Sequence, residues 1–226
     1  MKTKLRHSNK GFTLIELLVV ITIIAILAGA AVPTFNSVQE KANQSATIGN
    51  AKQIATALKI YAGDNNGSYP DSDPTMPTTA NAAFALLIQQ DVLQDERIFT
   101  AKASKYVPDG NIGMPPAYAE ALQAGENHWA MTAGITDSAS AQAPVVFENA
   151  TGATWPPTWN ADAAGKTLKG RTWRGGKIVV AFNDTSVTAM KLESPKGPSV
   201  GPADLGNGMN IFTQYQTDGV VLDILE

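Results

Sequence analysis

Apolar residues fill the chain from Phe12 to Val32 almost without a break; only Thr13, Glu16 and Thr22 interrupt them. Leu17 to Val32 alone would span about 24 Å as a helix. Counted from Phe12, the run comes close to the roughly 20 residues that a bilayer crossing needs. From Phe35 the pattern becomes periodic. Phe35, Val38, Ala42, Ala46, Ile54, Ala55, Leu58 and Tyr61 recur at helical spacing, with Gln39, Glu40, Lys41, Gln44, Lys52 and Gln53 on the other faces. The pattern predicts one long helix, apolar all round in its first half and amphipathic in its second. Pro33 lies inside it, so a kink is expected near Gly29 to Pro33. Gly63-Asp64-Asn65-Asn66-Gly67 is dense in residues that end helices and predicts its stop.

Beyond the turn the elements are short. Residues 71–83 form a polar loop, and Ala82 to Leu93 suits a short helix with Phe84, Leu87 and Ile88 facing inward. Arg97 to Thr100 is a strand candidate in a loop-rich stretch. Gly125 to Thr132 suggests an entry turn and a strand, and Ala143 to Glu148 another strand. Thr154 to Trp159 is a rigid aromatic loop. The clearest β signal is Lys177 to Phe182 and Ser186 to Lys191 around Asn183-Asp184-Thr185, a hairpin pattern. Ser194 to Gly208 is rich in Pro and Gly and predicts a linker or surface arm. Val220 to Leu225 suits either a last strand or a disordered tail. Parallel strands would need crossovers of a dozen or more residues, and the connections here are mostly short or irregular. An α+β fold is expected, with an antiparallel sheet against the long helix.

Charge sets the orientation of the apolar run. Lys2, Lys4, Arg6 and Lys10 precede it with no acid among them, which places residues 1–11 in the cytoplasm and the chain after Val32 outside. The whole chain carries −3; without its first eleven residues it keeps thirteen of the 17 basic residues against 20 acids, a net −7. That balance offers no basic patch for nucleic acid. There is no Cys, which excludes disulfides and Cys-based zinc sites. Ala28-Gly29-Ala30 also fits a rival reading, a secretory signal cut after Ala30. Glu16 inside the apolar run and the helix beyond it argue against that reading.

Glu16 is the informative oddity. A carboxylate in hydrocarbon costs on the order of 3 kcal/mol or more and needs a partner. No cation follows Phe12 within reach on the same helix. A cut between Gly11 and Phe12 would create one, the free α-amine of Phe12, in the same subunit or the next. The segment Gly11-Phe12-Thr13-Leu14-Ile15-Glu16, with its basic leader and apolar helix, resembles the cleavage and methylation signal of type IV pilins and type II secretion pseudopilins. Ile54 to Tyr61 followed by Asp64-Asn65-Asn66-Gly67-Ser68-Tyr69-Pro70 resembles the helix end and turn of major pseudopilins. The two together cover roughly residues 1–70.

The resemblance implies a prepilin peptidase that cuts after Gly11 and methylates Phe12. It implies that the apolar helix first anchors the subunit in the inner membrane and then packs in a filament core. Glu16 would pair with the amine of a neighbouring subunit, and Pro33 would mark where the helix loosens during assembly. The implied organisation is a leader at 1–11, a membrane or filament-core helix at 12–32 and its amphipathic continuation at 33–65. A pilin-like globular domain would follow at 66–194, then an arm and C-terminal segment at 195–226. Implied partners are identical or related subunits, membrane lipid and an inner-membrane assembly platform, with the globular domain periplasmic. The absence of Cys excludes the disulfide-closed C-terminal loop of many type IV pilins and favours a pseudopilin.

No catalytic residue and no resident cofactor are expected. Major pseudopilins often hold calcium in a C-terminal acidic loop, and Asp204, Asp218 and Asp223 are the acidic candidates here, beside Asn207 and Asn210. Calcium needs six to eight converging oxygens, and no spacing here matches an EF-hand. Trp155, Trp159 and Trp173 suit either core and loop-latch roles or a ligand-stacking surface on a membrane-stalked binding module. His128 has no Ser, Cys or acid at a recognisable spacing and is expected to be structural.

Overall fold

The computed structural model describes residues 11–71 and 78–226. The leader at 1–10 and part of the polar loop lie outside the described residues, so the expected placement of the leader is not tested by the fold. Helix α1 runs Leu14–Asp64 and α2 runs Ala80–Gln89. Five strands follow: β1 Trp129–Ala133, β2 Pro144–Glu148, β3 Lys177–Phe182, β4 Val187–Lys191 and β5 Val220–Leu222. The chain divides into two compact units, Met1–Ala42 and Asn43–Glu226, and α1 contributes to both.

In the first unit α1 exposes apolar side chains on every face, including Leu17, Leu18, Val20, Ile21, Ile23 and Ile24. A helix apolar all round is stable only where lipid or other protein covers it. Among the described residues no helix is long and apolar enough to cross a membrane. The described side chains of the apolar run stop at Gly29 and resume at Phe35, short of the roughly 20 residues a crossing needs. The expected bend at Gly29 to Pro33 falls in this gap, so the Pro33 side chain lies outside the description. As a hydrogen-bonded element α1 continues through it.

In the second unit the strands form one antiparallel sheet in the order β4-β3-β2-β1-β5. Alternation assigns side chains to its two faces. Trp129, Met131, Val179 and Ala181 meet Ile54, Leu58 and Tyr61 of α1 and Phe84, Leu87 and Ile88 of α2. Ala130, Phe147, Ile178 and Val180 face Trp159, Val200 and Phe212 on the other side. Both faces are therefore covered, one by helices and one by loops, which explains why β2 is buried at every position. The α+β arrangement of a pilin, a long helix on an antiparallel sheet, is thus present.

The helix stops where the turn residues predict. Asn66 and Gly67 both take positive φ, at 53° and 81°. The Gly67 N–H donates to Ala62 O at 2.8 Å. The positive φ favours glycine at Gly67, and a Cβ there would also push the exposed Asp137 carboxylate aside from 2.6 Å. Beyond the turn the Tyr69 hydroxyl donates to Asn183 Oδ1, tying the turn to the β3–β4 connection.

Two expectations change. Arg97 to Thr100 is not a strand: Glu96–Phe99 is a 3-10 turn, because Asp95 caps it through Arg97 N at 2.9 Å. Residues from 195 onward fold onto the sheet's second face rather than standing off as an arm. Val200 exchanges backbone hydrogen bonds with Trp159, Phe212 is fully buried, and Val220 to Leu222 pair with β1. Before β5 the Trp155 ring lies directly on Gly219, with its Nε1–H donating to Gln216 O at 3.0 Å. A methyl group at Gly219 would enter that ring. Gly219→Ala is therefore expected to cost about 1–3 kcal/mol through overpacking, read as a lower urea midpoint of the full chain in detergent.

Candidate functional site

The sequence places its strongest chemistry at the start of α1, and the local geometry there is simple. Gly11, Phe12 and Thr13 precede the helix in non-helical conformation and are exposed. Among the described residues a Cβ built at Gly11 meets nothing within 4 Å, and both residues of the Gly11–Phe12 bond are exposed. Phe12 is 75% exposed.

Thr13 and Glu16 form a reciprocal cap on the first turn. The Thr13 N–H donates to Glu16 Oε2 at 2.8 Å, and the Thr13 hydroxyl donates to the same oxygen at 2.6 Å. The Glu16 N–H donates back to Thr13 Oγ1 at 3.3 Å. This is the capping-box pattern, Thr at the cap and Glu three residues on. It satisfies backbone donors that a helix start leaves free. Phe12, Ile15, Val19 and Val20 line a shallow apolar recess beside Glu16. In the uncut chain the carboxylate thus has hydrogen bonds but, among the described residues, no cation in its ion-pair set. Thr13→Val removes the hydroxyl from both sides of the cap. It is expected to weaken the first turn by about 1 kcal/mol, measured as faster amide exchange at residues 14–17 in detergent.

The other candidates sit in the second unit. Asp204, Asp218 and Asp223 are not brought into one acidic group. Asp204 Oδ1 accepts from the N–H groups of Gly206 and Gly208, a turn role, and Asp223 pairs with Lys169 Nζ at 2.8 Å. Among the described residues the acidic group that does converge is Glu96, Asp109 and Glu126. Its carboxylates already accept backbone N–H groups: Glu96 from Gly110 and Leu122, Glu126 from Gln123 and Asp109, and Asp109 from Asn111. Burial and the neighbouring Glu96 and Asp109 hold the Glu126 carboxyl above its usual range. Trp159 and Trp173 are buried, and Trp155 is a latch whose ring meets Phe212 edge-on.

His128 has partners that sequence spacing did not reveal. β2 ends at Glu148, paired across the sheet with Trp129, which brings Glu148 beside His128. His128 Nε2 lies 3.1 Å from Glu148 Oε1. Glu148 Oε2 accepts from Trp173 Nε1 at 2.9 Å and Val179 N at 2.7 Å. The Arg171 guanidinium lies 3.8 Å from Glu148 Oε1 and stacks on the Trp173 ring. All four side chains are buried. Burial, opposed by Glu148, holds the His128 ring below its ordinary pKa of 6.5. The unfolded chain therefore takes up a proton that the folded chain refuses as pH falls below about 6.5. Stability is expected to decline from there down to the ring's lower folded pKa, as a falling urea midpoint between pH 7 and pH 5.

Comparison with known proteins bears on the N-terminal site. Residues 6–32 match the prokaryotic N-terminal methylation motif. Over 42% of its length the chain is 32% identical to a type II secretion system core protein G of Klebsiella michiganensis, covering 61% of that protein. Over 30% it is 42% identical to the core protein G of Pseudomonas aeruginosa, covering 46% of it. Over 24% it is 47% identical to the type IV major pilin protein PilA of Myxococcus xanthus, covering 24% of it. The matched part thus spans less than two thirds of each of these relatives. No solved structure matches the chain. In its methylation motif, in the stretches shared with these relatives and in its helix-on-sheet fold, the chain is similar to the type IV pilins and type II secretion pseudopilins.

Proposed function

We propose that the chain is a structural subunit of a type II secretion pseudopilus rather than an enzyme. A prepilin peptidase cuts between Gly11 and Phe12 and methylates the new amine. The apolar helix holds the subunit in the inner membrane, with the globular unit in the periplasm. An assembly platform then extracts it into a helical filament of like subunits, whose growth drives protein export. Glu16 exchanges its intramolecular cap for the charged amine of a neighbouring subunit, and the apolar face of α1 exchanges lipid for other helices.

The observation that carries this reading is the junction at Gly11–Phe12. An exposed peptide bond stands four residues before the carboxylate of Glu16, at the start of a helix whose apolar side chains are exposed all round. A type IV pilus subunit is the second reading, favoured by the 47% identity to the PilA relative over 24% of the chain. Intact mass and N-terminal sequencing of the protein from host membranes test the common core of both. A chain beginning at Phe12 with one added methyl group is expected. A chain beginning at Ala31 would overturn the assembly role.

A further inference from the structure

The hydrogen bonds of His128 extend past Glu148 to a hydroxyl. Ser104 Oγ lies 2.8 Å from His128 Nδ1, and His128 Nε2 lies 3.1 Å from Glu148 Oε1. Glu148 can only accept while its second oxygen holds two further N–H groups. The ring therefore carries its proton on Nε2, and its single Nδ1 lone pair is shared by the Ser104 hydroxyl and the Asn149 amide N–H. A nucleophile, a base within hydrogen-bond reach and a third group orienting the base form the arrangement that activates a serine. We propose that Ser104 is an activated serine and a site of covalent acylation, with an activated ester or thioester as acyl donor.

The surroundings fit that role. The Asn149 amide donates to His128 Nδ1 at 3.0 Å and to His128 O at 2.8 Å, fixing the ring plane. The Tyr106 N–H donates to Ser104 Oγ at 3.0 Å, which holds the oxygen beside the ring. Ala103, just before Ser104, has φ 65°, a conformation an alanine seldom holds. His128 and Glu148 are about 1% exposed whereas Ser104 is partly exposed, so Ser104 is the member of the relay nearest solvent. In the reaction Ser104 Oγ bonds to the acyl carbon while its proton moves to His128 Nδ1. The bond from that carbon to the leaving oxygen or sulfur then breaks, and the leaving group takes the proton from His128. An acyl group has moved to Ser104, an alcohol or thiol is released, and nothing is oxidised or reduced. The modification is stoichiometric.

The purified full chain in detergent, incubated with p-nitrophenyl acetate and mapped by tandem mass spectrometry, tests this. Acetylation at Ser104 is expected to be at least about 100-fold faster than at exposed Ser138, with that advantage lost in urea. Ser104→Ala should remove the adduct at this position and leave other sites unchanged. Glu148→Gln should slow it by about tenfold or more if circular dichroism shows the variant folded. Equal acetylation of Ser104 and Ser138 in the folded wild-type chain would overturn the proposal, and that comparison needs no variant. So would an advantage of Ser104 that persists in urea.

Discussion

Glu148→Ala is expected to destabilise the globular unit by about 3–5 kcal/mol, the cost of breaking a buried ion pair from one side. The carboxylate accepts three N–H groups and faces the Arg171 guanidinium at 3.8 Å. Without it the Trp173 Nε1–H and the Val179 N–H lose their hydrogen bonds, as does the His128 Nε2–H. Each buried donor left unpaired costs about 1–3 kcal/mol. Arg171 loses the nearest compensating charge while remaining 2% exposed. Among the described residues it keeps its bond to Lys102 O and its stacking on Trp173. Glu148→Gln should fall between, because the amide oxygen still accepts but the charge is gone. Adding Arg171→Met to Glu148→Gln should recover part of the loss, since a buried cation is removed with its lost partner. Urea melts followed by tryptophan fluorescence separate these cases. A Glu148→Ala midpoint equal to wild type would show that the network contributes nothing net.

That network also marks the boundary of what the residues disclose in order. The site at Gly11 to Glu16 was legible because its parts lie within six positions, and helical spacing alone brings Thr13 and Glu16 together. The hairpin of β3 and β4 was legible for the same reason: both strands and their turn are neighbours in the chain. His128 and Glu148 are separated by twenty positions, and their contact depends on the register that pairs Trp129 with Glu148. No pattern of types along the chain encodes that register. The strand candidate at Arg97 to Thr100 misled because Asp95 caps a turn there and Glu96 is drawn inside by two backbone N–H groups, contacts that the short run itself does not encode. The Pro and Gly of residues 195–208 correctly excluded regular structure there. They said nothing of where the segment would dock, which Val200 and, further on, Phe212 decide by packing on the sheet's second face.

Glu16→Gln is expected to abolish filament formation while leaving membrane insertion, cleavage and the first helical turn intact. A glutamine amide keeps an acceptor and loses the charge. Its oxygen can still accept the Thr13 N–H and hydroxyl, which lie at 2.8 and 2.6 Å from Glu16 Oε2 in the native cap. Helix initiation therefore changes little, and the amide is easier to bury in hydrocarbon than a carboxylate. What disappears is the negative charge. If a neighbouring Phe12 amine must enter an apolar filament core, it enters unpaired, and an uncompensated buried charge costs several kcal/mol. Because that cost recurs at every subunit, assembly should fail altogether rather than slow. Glu16→Ala should fail equally at assembly and also lose the cap, worth about 0.5–2 kcal/mol. The measurement is threefold on one sample: membrane fractionation, intact mass of the N-terminus, and electron microscopy of sheared filaments. A processed, membrane-held Glu16→Gln subunit without filaments identifies the charge as the assembly determinant. Wild-type filaments from that variant would assign Glu16 to the helix cap alone and remove the charge pair from the mechanism.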